Sequence, residues 1–75
     1  MEMMKLRSKQ FSEFWGCRVL IKVRRGRDDY VGQLTREDEY FIFLTNVEAT
    51  VTKEKIPRLA ISKRAIMELR DVGDA

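Results

Sequence analysis

Residues 18–44 contain three short apolar segments separated by polar turns, and this pattern constrains the fold more than any other feature of the sequence. In the first segment, residues 18–24, apolar and charged side chains alternate, as in a strand with one buried face. The second segment, residues 30–34, contains Gly32, which indicates a bend or a close approach of backbones. The third, residues 40–44, is apolar at every position. A strand that is apolar on both faces must be covered on both sides, which excludes a flat sheet with one face in water.

The sequence beyond residue 44 continues the extended pattern with interruptions. Alternation resumes at residues 46–52, and the charged segment TKEKIPR then brings the only proline, Pro57. Proline has no amide hydrogen, so it belongs at an edge, at a bulge or at the start of a strand. Residues 59–61 read as a further extended segment, and residues 66–70 read as the last strand after a short turn at 62–65.

Residues 3–15 have a different periodicity. They contain no glycine or proline, and Met4, Phe11 and Trp15 recur at helical spacing. We therefore predict an amphipathic α-helix at about 3–15, capped by Gly16, whose aromatic side chains close one end of a barrel. The predicted fold is a mostly β single domain over residues 1–75. It has this N-terminal helix, a five-stranded, strongly bent antiparallel small barrel at about 17–70, and a short tail at 71–75.

Composition argues against several classes of function. The chain has 75 residues, one cysteine (Cys17) and no histidine, so a disulfide within the chain is impossible and a zinc site is not expected. The carboxylates at 37–39 and at 28–29 read as solvated turn residues rather than metal ligands or an acid/base pair. We expect no enzyme activity, no catalytic residue, no metal and no cofactor.

The sequence also bears on location and on charged partners. It shows neither a signal-peptide pattern nor an apolar run of membrane-spanning length, so we expect a cytoplasmic protein with no membrane partner. Residues 1–27 carry a net charge of +6, residues 28–50 carry −5, and residues 51–75 carry +2. Such segregation suggests distinct faces, one of which could meet phosphates. The abundance of Lys, Arg and Glu is compatible with a thermophilic source.

The order of these segments resembles the Sm and Sm-like (LSm) family over about residues 16–70. The first motif of that family is similar to RVLIKVRRGRDDYVGQL, followed by the acidic REDEY and by FIFLTNVE. The second motif corresponds to residues 61–66, Ile-Ser-Lys-Arg-Ala-Ile. The resemblance implies the small Sm barrel and a ribonucleoprotein function without catalysis.

The RNA-contacting positions implied by the resemblance depart from the family pattern. Phe41 stands near the place of the asparagine that holds a base edge, and Ser62-Lys63 replaces the Arg-Gly pair. Aromatic rings and guanidinium planes stack on any base, so a pocket with altered base preference can be rebuilt from other side chains. The RNA-binding residues predicted in this way are Tyr40, Phe41, Ser62, Lys63 and Arg64.

The resemblance also implies assembly, because strand four of one Sm subunit pairs with strand five of the next. An unpaired edge would leave backbone groups and apolar side chains exposed, which is a liability unless another strand covers them. We therefore expect a homo-oligomeric ring of six or seven copies. Its predicted interface residues are Leu59, Ile61, Ile66 and Leu69.

Three functions follow from these expectations. The first is a ring that engages single-stranded RNA, with U-rich RNA as one candidate. The second is an Sm-like scaffold for protein assembly that has lost the RNA pocket. The third is a small basic barrel that binds DNA without sequence preference, which tighter binding to duplex than to single strands would reveal.

Overall fold

The computed structural model describes residues 10–73, and these form one antiparallel sheet of five strands. The strands are β1 (Arg18–Val23), β2 (Tyr30–Glu37), β3 (Phe41–Ala49), β4 (Lys55–Ser62) and β5 (Ile66–Asp71). Two short 3-10 turns, Ser12–Phe14 and Lys63–Ala65, precede β1 and join β4 to β5. The predicted five-stranded antiparallel fold is therefore confirmed.

The strands lie in the order β4-β3-β2-β1-β5, so β4 and β5 form the two outer edges of the sheet. Four antiparallel pairings build it, with Val19 opposite Gly32 in the β1–β2 pair and Ile21 opposite Leu69 in the β1–β5 pair. Pro57 lies in β4, an edge strand, where a missing amide hydrogen is tolerated. The sheet is open in a single chain, because no pairing joins β4 to β5 within residues 10–73.

The predicted N-terminal α-helix is wrong over the part that the structure describes. Residues 10–15 contain only the 3-10 turn Ser12–Phe14, closed by the Phe14 N–H, which donates to the Phe11 carbonyl at 2.9 Å. The chain then joins β2, because the Gly16 N–H donates to the Leu34 carbonyl at 2.6 Å. These backbone bonds to a strand take the place of a continuing helix. Residues 3–9 of the predicted helix lie outside the described residues.

Strand β3 is one continuous strand, whereas the sequence indicated two separate runs at 40–44 and 46–52. Its buried side chains fall at even numbers up to Leu44 and at odd numbers from Val47 onward. The change of parity occurs at Asn46, which has a φ of 52°. Here the register with β2 shifts by one residue, as expected for a β-bulge.

The core lies on the inner face of the bent sheet. Its buried members come from β1, β2, β3 and β4, and they are Val19, Ile21, Leu34, Ile42, Leu44, Val47 and Ile61. Gly32 allows β2 and β3 to approach closely, since a Cβ there would lie 2.8 Å from Val47 Cγ2 and 3.1 Å from the Thr45 carbonyl oxygen. The expected close approach of backbones at Gly32 is confirmed.

Candidate nucleic-acid interface

The turn between β2 and β3 is fixed by the carboxylate of Asp38. Its Oδ1 accepts hydrogen bonds from the N–H groups of Tyr40 and Phe41, each at 2.8 Å. These bonds, that of Tyr40 first, hold the pKa of Asp38 below its usual value because they favour the ionised form. The turn therefore presents Tyr40 and Phe41 from a defined backbone conformation.

The 63–65 turn lies beside this β2–β3 turn. The Lys63 N–H donates to the Tyr40 carbonyl at 2.8 Å, and Ser62 is the direct partner of Phe41 in the β3–β4 pairing. The Ser62 hydroxyl accepts a hydrogen bond from the Arg64 N–H at 3.3 Å and so caps the turn. All five residues predicted to contact RNA thus come from two adjoining segments of the fold.

Three of these five side chains face solvent. Tyr40 is 61% exposed and Phe41 is 41% exposed, although large aromatic side chains are usually buried. Arg64 is also exposed, while Ser62 is partly buried beneath it. Two flat rings and a guanidinium on neighbouring turns are groups on which bases of a single strand can stack.

Lys63 occupies a different environment from its neighbours. Its ammonium forms an ion pair with Glu37 at 2.5 Å, and the two side chains are only 1% and 0% exposed. The Lys63 side chain therefore anchors the 63–65 turn to Glu37 in the interior, and its charge is not presented at the surface. Its predicted contact with RNA stays a prediction, and the structure gives it a positioning role.

Glu37 also holds the segment that precedes β1. Its Oε1 accepts hydrogen bonds from the Phe11 N–H at 2.6 Å and from the Trp15 indole N–H at 3.1 Å. The Lys63 ammonium lies 5.9 Å from the centre of the Phe11 ring. The sequence interpretation of Glu37 as a solvated turn residue is wrong, because residues distant in the chain cover it.

Two further arginines join the interface from the end of β1. The Arg24 Nε donates to the Arg64 carbonyl at 2.8 Å, and the Arg24 N–H donates to the Ala65 carbonyl at the same distance. Arg24, Arg25 and Arg64 line one groove together with Ser62 and Ala65. None of the three arginines forms an ion pair with a carboxylate of residues 10–73. Arg24 and Arg25 belong to residues 1–27, whose net charge of +6 was the sequence signal for a face that meets phosphates.

The predicted interface residues lie on the two edge strands, in two environments. Ile61 belongs to the buried core of the single chain. Leu59 on β4, with Ile66 and Leu69 on β5, is only partly buried against that core. The assignment of these four residues to contacts between subunits stays a prediction.

Metal-binding clusters and membrane-spanning helices were both sought among the described residues. Residues 10–73 contain no group of three acidic or cysteine side chains arranged to hold a metal ion. Over the same range, none of the helical segments has the length and apolar character needed to cross a bilayer. The geometry of the site consists of aromatic, guanidinium and hydroxyl groups.

Solved structures show the same fold. An Sm-like protein of Archaeoglobus fulgidus superimposes with a TM-score of 0.71 and 18% identity, over 93% of this chain and 99% of that one. A chain in the crystal structure of the NatC complex bound to CoA gives a TM-score of 0.67 and 19% identity, over 92% of this chain and 86% of that one. No protein-family model and no curated protein matches the sequence. The resemblance to the Sm and Sm-like family is thus confirmed in three dimensions: the chain has the Sm-like fold.

Proposed function

We propose that this protein binds single-stranded RNA as a homo-oligomeric ring, through the surface formed by Tyr40, Phe41 and Arg64. Ser62 supports this surface as the partner of Phe41, and Lys63 supports it from the buried side. The protein performs no catalysis in this proposal. Its selectivity comes from stacking and charge, which distinguish bases weakly.

The observation that carries this proposal is the exposure of two aromatic rings beside three arginines that form no ion pair with a carboxylate of residues 10–73. Tyr40 and Phe41 leave large parts of their rings exposed, although Phe41 also contacts Phe43, and adjoining exposed apolar side chains are typical of an interaction surface. Bases have flat faces that stack on such rings, while the phosphates that connect them are attracted to Arg24, Arg25 and Arg64. Tyr40, Phe41 and Arg64 lie on the two adjoining turns, and Arg24, which follows β1, donates to the Arg64 carbonyl.

The two unpaired edges support the assembly part of the proposal. β4 and β5 lie at opposite ends of the sheet, so β5 of one copy can pair with β4 of another. The partly buried Leu59, Ile66 and Leu69 would become covered in that pairing. Sizing combined with light scattering should give a mass several times the 8.9 kDa of one chain. A clean monomer at micromolar concentration would exclude the ring.

RNA binding is tested by titrating the purified oligomer with labelled oligo-U and oligo-A at several salt concentrations. Affinity should fall steeply with salt, because RNA binding releases counterions. The variant Arg64→Gln should weaken binding by about tenfold or more, since it removes a stacking plane and a charge. Unchanged affinity in this variant would exclude Arg64 from the site.

The matched control is Lys53→Gln, which removes one exposed charge from the turn after the far end of β3. It should lower affinity only slightly, because it changes the net charge without touching the proposed site. Equal losses in both variants would indicate general electrostatic attraction. Equal affinity for oligo-U and oligo-A would indicate stacking without base selection.

A second function, a scaffold in a protein assembly, is supported by the likeness to a chain in the NatC complex structure. In that case the exposed Tyr40 and Phe41 would contact a protein, and the ring would form without measurable RNA affinity near physiological salt. The same titration separates the two functions. The third possibility, coating of duplex DNA, predicts tighter binding to duplex than to single strands.

A further inference from the structure

The outer face of β3 carries a second aromatic and cationic surface, outside the two turns described above. Phe43 lies on this face, and the Arg36 guanidinium on β2 lies over its ring at 4.9 Å from the centroid. The Phe41 and Phe43 rings lie 6.5 Å apart at an angle of 43°, within the range of interacting aromatic pairs. A groove beside them is also lined by Arg58 and Ala60 of β4.

Within residues 10–73, the aromatic side chains on the outer face of β3 are only partly covered. A strand apolar on both faces needs packing on both sides, and among residues 10–73 the Arg36 guanidinium lies over the Phe43 ring on the outer side of β3. Phe41 remains 41% exposed next to it. An exposed apolar surface of this kind is typical of a site that contacts a partner.

Charge favours one occupant over others. Arg36 and Arg58 are both exposed, and neither forms an ion pair with a carboxylate in the described part of the chain. Two such surfaces from two copies would bring like charges together, which opposes stacking of one copy on another. A polyanion with flat bases complements this face, because its phosphates are attracted to the arginines and its bases stack on the rings.

We propose that the outer face formed by Arg36, Phe43 and Arg58 is a second contact site for single-stranded RNA, continuous with the first through Phe41. This inference rests on the proposed RNA-binding function and extends it. Phe43 lies two residues beyond Phe41 on β3, about 7 Å along the strand. At roughly 3.4 Å per stacked nucleotide, a strand that leaves Phe41 reaches Phe43 within about two nucleotides. One base stacks on the exposed side of the Arg36 guanidinium, and Arg58 meets a phosphate.

The test compares diuridine with an oligo-U chain about nine times as long, on the wild type and on Arg36→Gln and Phe43→Leu. Each substitution should weaken binding of the long RNA by about tenfold, a typical effect of one lost stacking contact. Binding of diuridine should stay unchanged, because an RNA with one base on Tyr40 and Arg64 and the other on Phe41 does not extend to Phe43. Irradiation of the long complex should also cross-link uridine to a peptide that contains Phe43.

Lys22→Gln is the matched control for charge. Lys22 is exposed on β1 near the far end of β2 from Arg36, so its loss should affect both RNAs alike. Circular dichroism and light scattering establish that each variant keeps its fold and its mass. Arg36→Gln removes an exposed side chain, so it tests the site even if Phe43→Leu loses structure.

The outcomes separate the two proposals. If diuridine binds normally and neither variant alters the binding of long RNA, the outer face is not an RNA site, while the proposed function stands. If the wild type binds neither RNA, both proposals fail. If the variants lower the mass of the oligomer and leave RNA affinity unchanged, the face is a contact between copies.

Discussion

Glu37 and Lys63 form a water-excluded ion pair that joins the end of β2 to the turn between β4 and β5. The same carboxylate accepts two hydrogen bonds from the segment before β1. A single acidic side chain therefore fixes three parts of the chain, and one of these carries Arg64. Water does not screen this pair, so the integrity of the turn depends on both partners.

Glu37→Gln should destabilise the protein strongly, because it removes the carboxylate charge that pairs with the buried Lys63 ammonium. Breaking a buried pair by removing one partner costs about 3–5 kcal/mol in the free energy of unfolding. Urea denaturation measures this cost. The control Glu39→Gln, an exposed carboxylate in the adjoining turn, should change stability by less than about 0.5 kcal/mol. Equal stabilities of the two variants would contradict the importance of the pair.

Trp15→Phe should lose the indole hydrogen bond to Glu37 while keeping an aromatic ring. We expect a cost of about 1 kcal/mol, below the full value for a charged acceptor because Trp15 is 37% exposed. The loss should shrink when Glu37 is already Gln, which a double-mutant cycle detects. Tyr40→Phe, an equivalent change on an exposed ring, is the control. Strictly additive effects would show that the indole and the carboxylate do not interact.

Gly32→Ala should destabilise the contact between β2 and β3 by about 1–3 kcal/mol, the usual cost of overpacking. The new methyl group would meet Val47 Cγ2 at 2.8 Å, and backbone atoms of Thr45 and Val47 at 3.1 and 3.2 Å. Val47→Ala removes the side-chain clash but leaves the backbone contacts. In a double-mutant cycle followed by thermal unfolding, Gly32→Ala should therefore cost less stability in the Val47→Ala background than in the wild type, but should still be destabilising. If Gly32→Ala cost no stability in the Val47→Ala background, the backbone contacts would have to adjust freely.

Asp38→Asn should flatten the dependence of stability on acid. The amide hydrogen bonds from Tyr40 and Phe41 place the folded pKa of Asp38 below its usual value of 3.8. Its contribution to stability is therefore complete above the unfolded pKa and is lost as pH falls through the lower, folded value. Urea midpoints measured from neutral pH down to strong acid should decline less in this variant than in Glu39→Gln. Identical acid profiles would contradict this assignment.

Local patterns predicted the strands well because period two reports directly which side chains are buried. The alternation in β1 places Val19 and Ile21 in the core, and the glycine at 32 lies where β2 approaches β3. The same patterns failed at Asn46, because a bulge reverses the parity of burial and a single continuous strand then resembles two. A positive φ at one polar residue leaves little trace in the sequence.

The candidate site was predictable in its location but only partly in its chemistry. Tyr40, Phe41 and Arg64 are exposed on adjoining turns, at the positions that the resemblance to the Sm-like family implied. The burial of Lys63 could not be predicted, since it depends on a partner from another strand and on cover from the segment before β1. Charged residues in turns are usually solvated, so only the three-dimensional structure identifies this exception.

In the proposed ring, the placement of β4 and β5 at opposite edges of the sheet affects how copies assemble. When β4 of one copy pairs with β5 of the next, an open chain of any length still ends in the same two free strands as a monomer. Such a chain has one contact fewer than it has copies, whereas a closed assembly has as many contacts as copies. Closure therefore adds a contact without recruiting a further molecule. Partial chains should be scarce at every concentration, and assembly should rise sharply over a narrow concentration range.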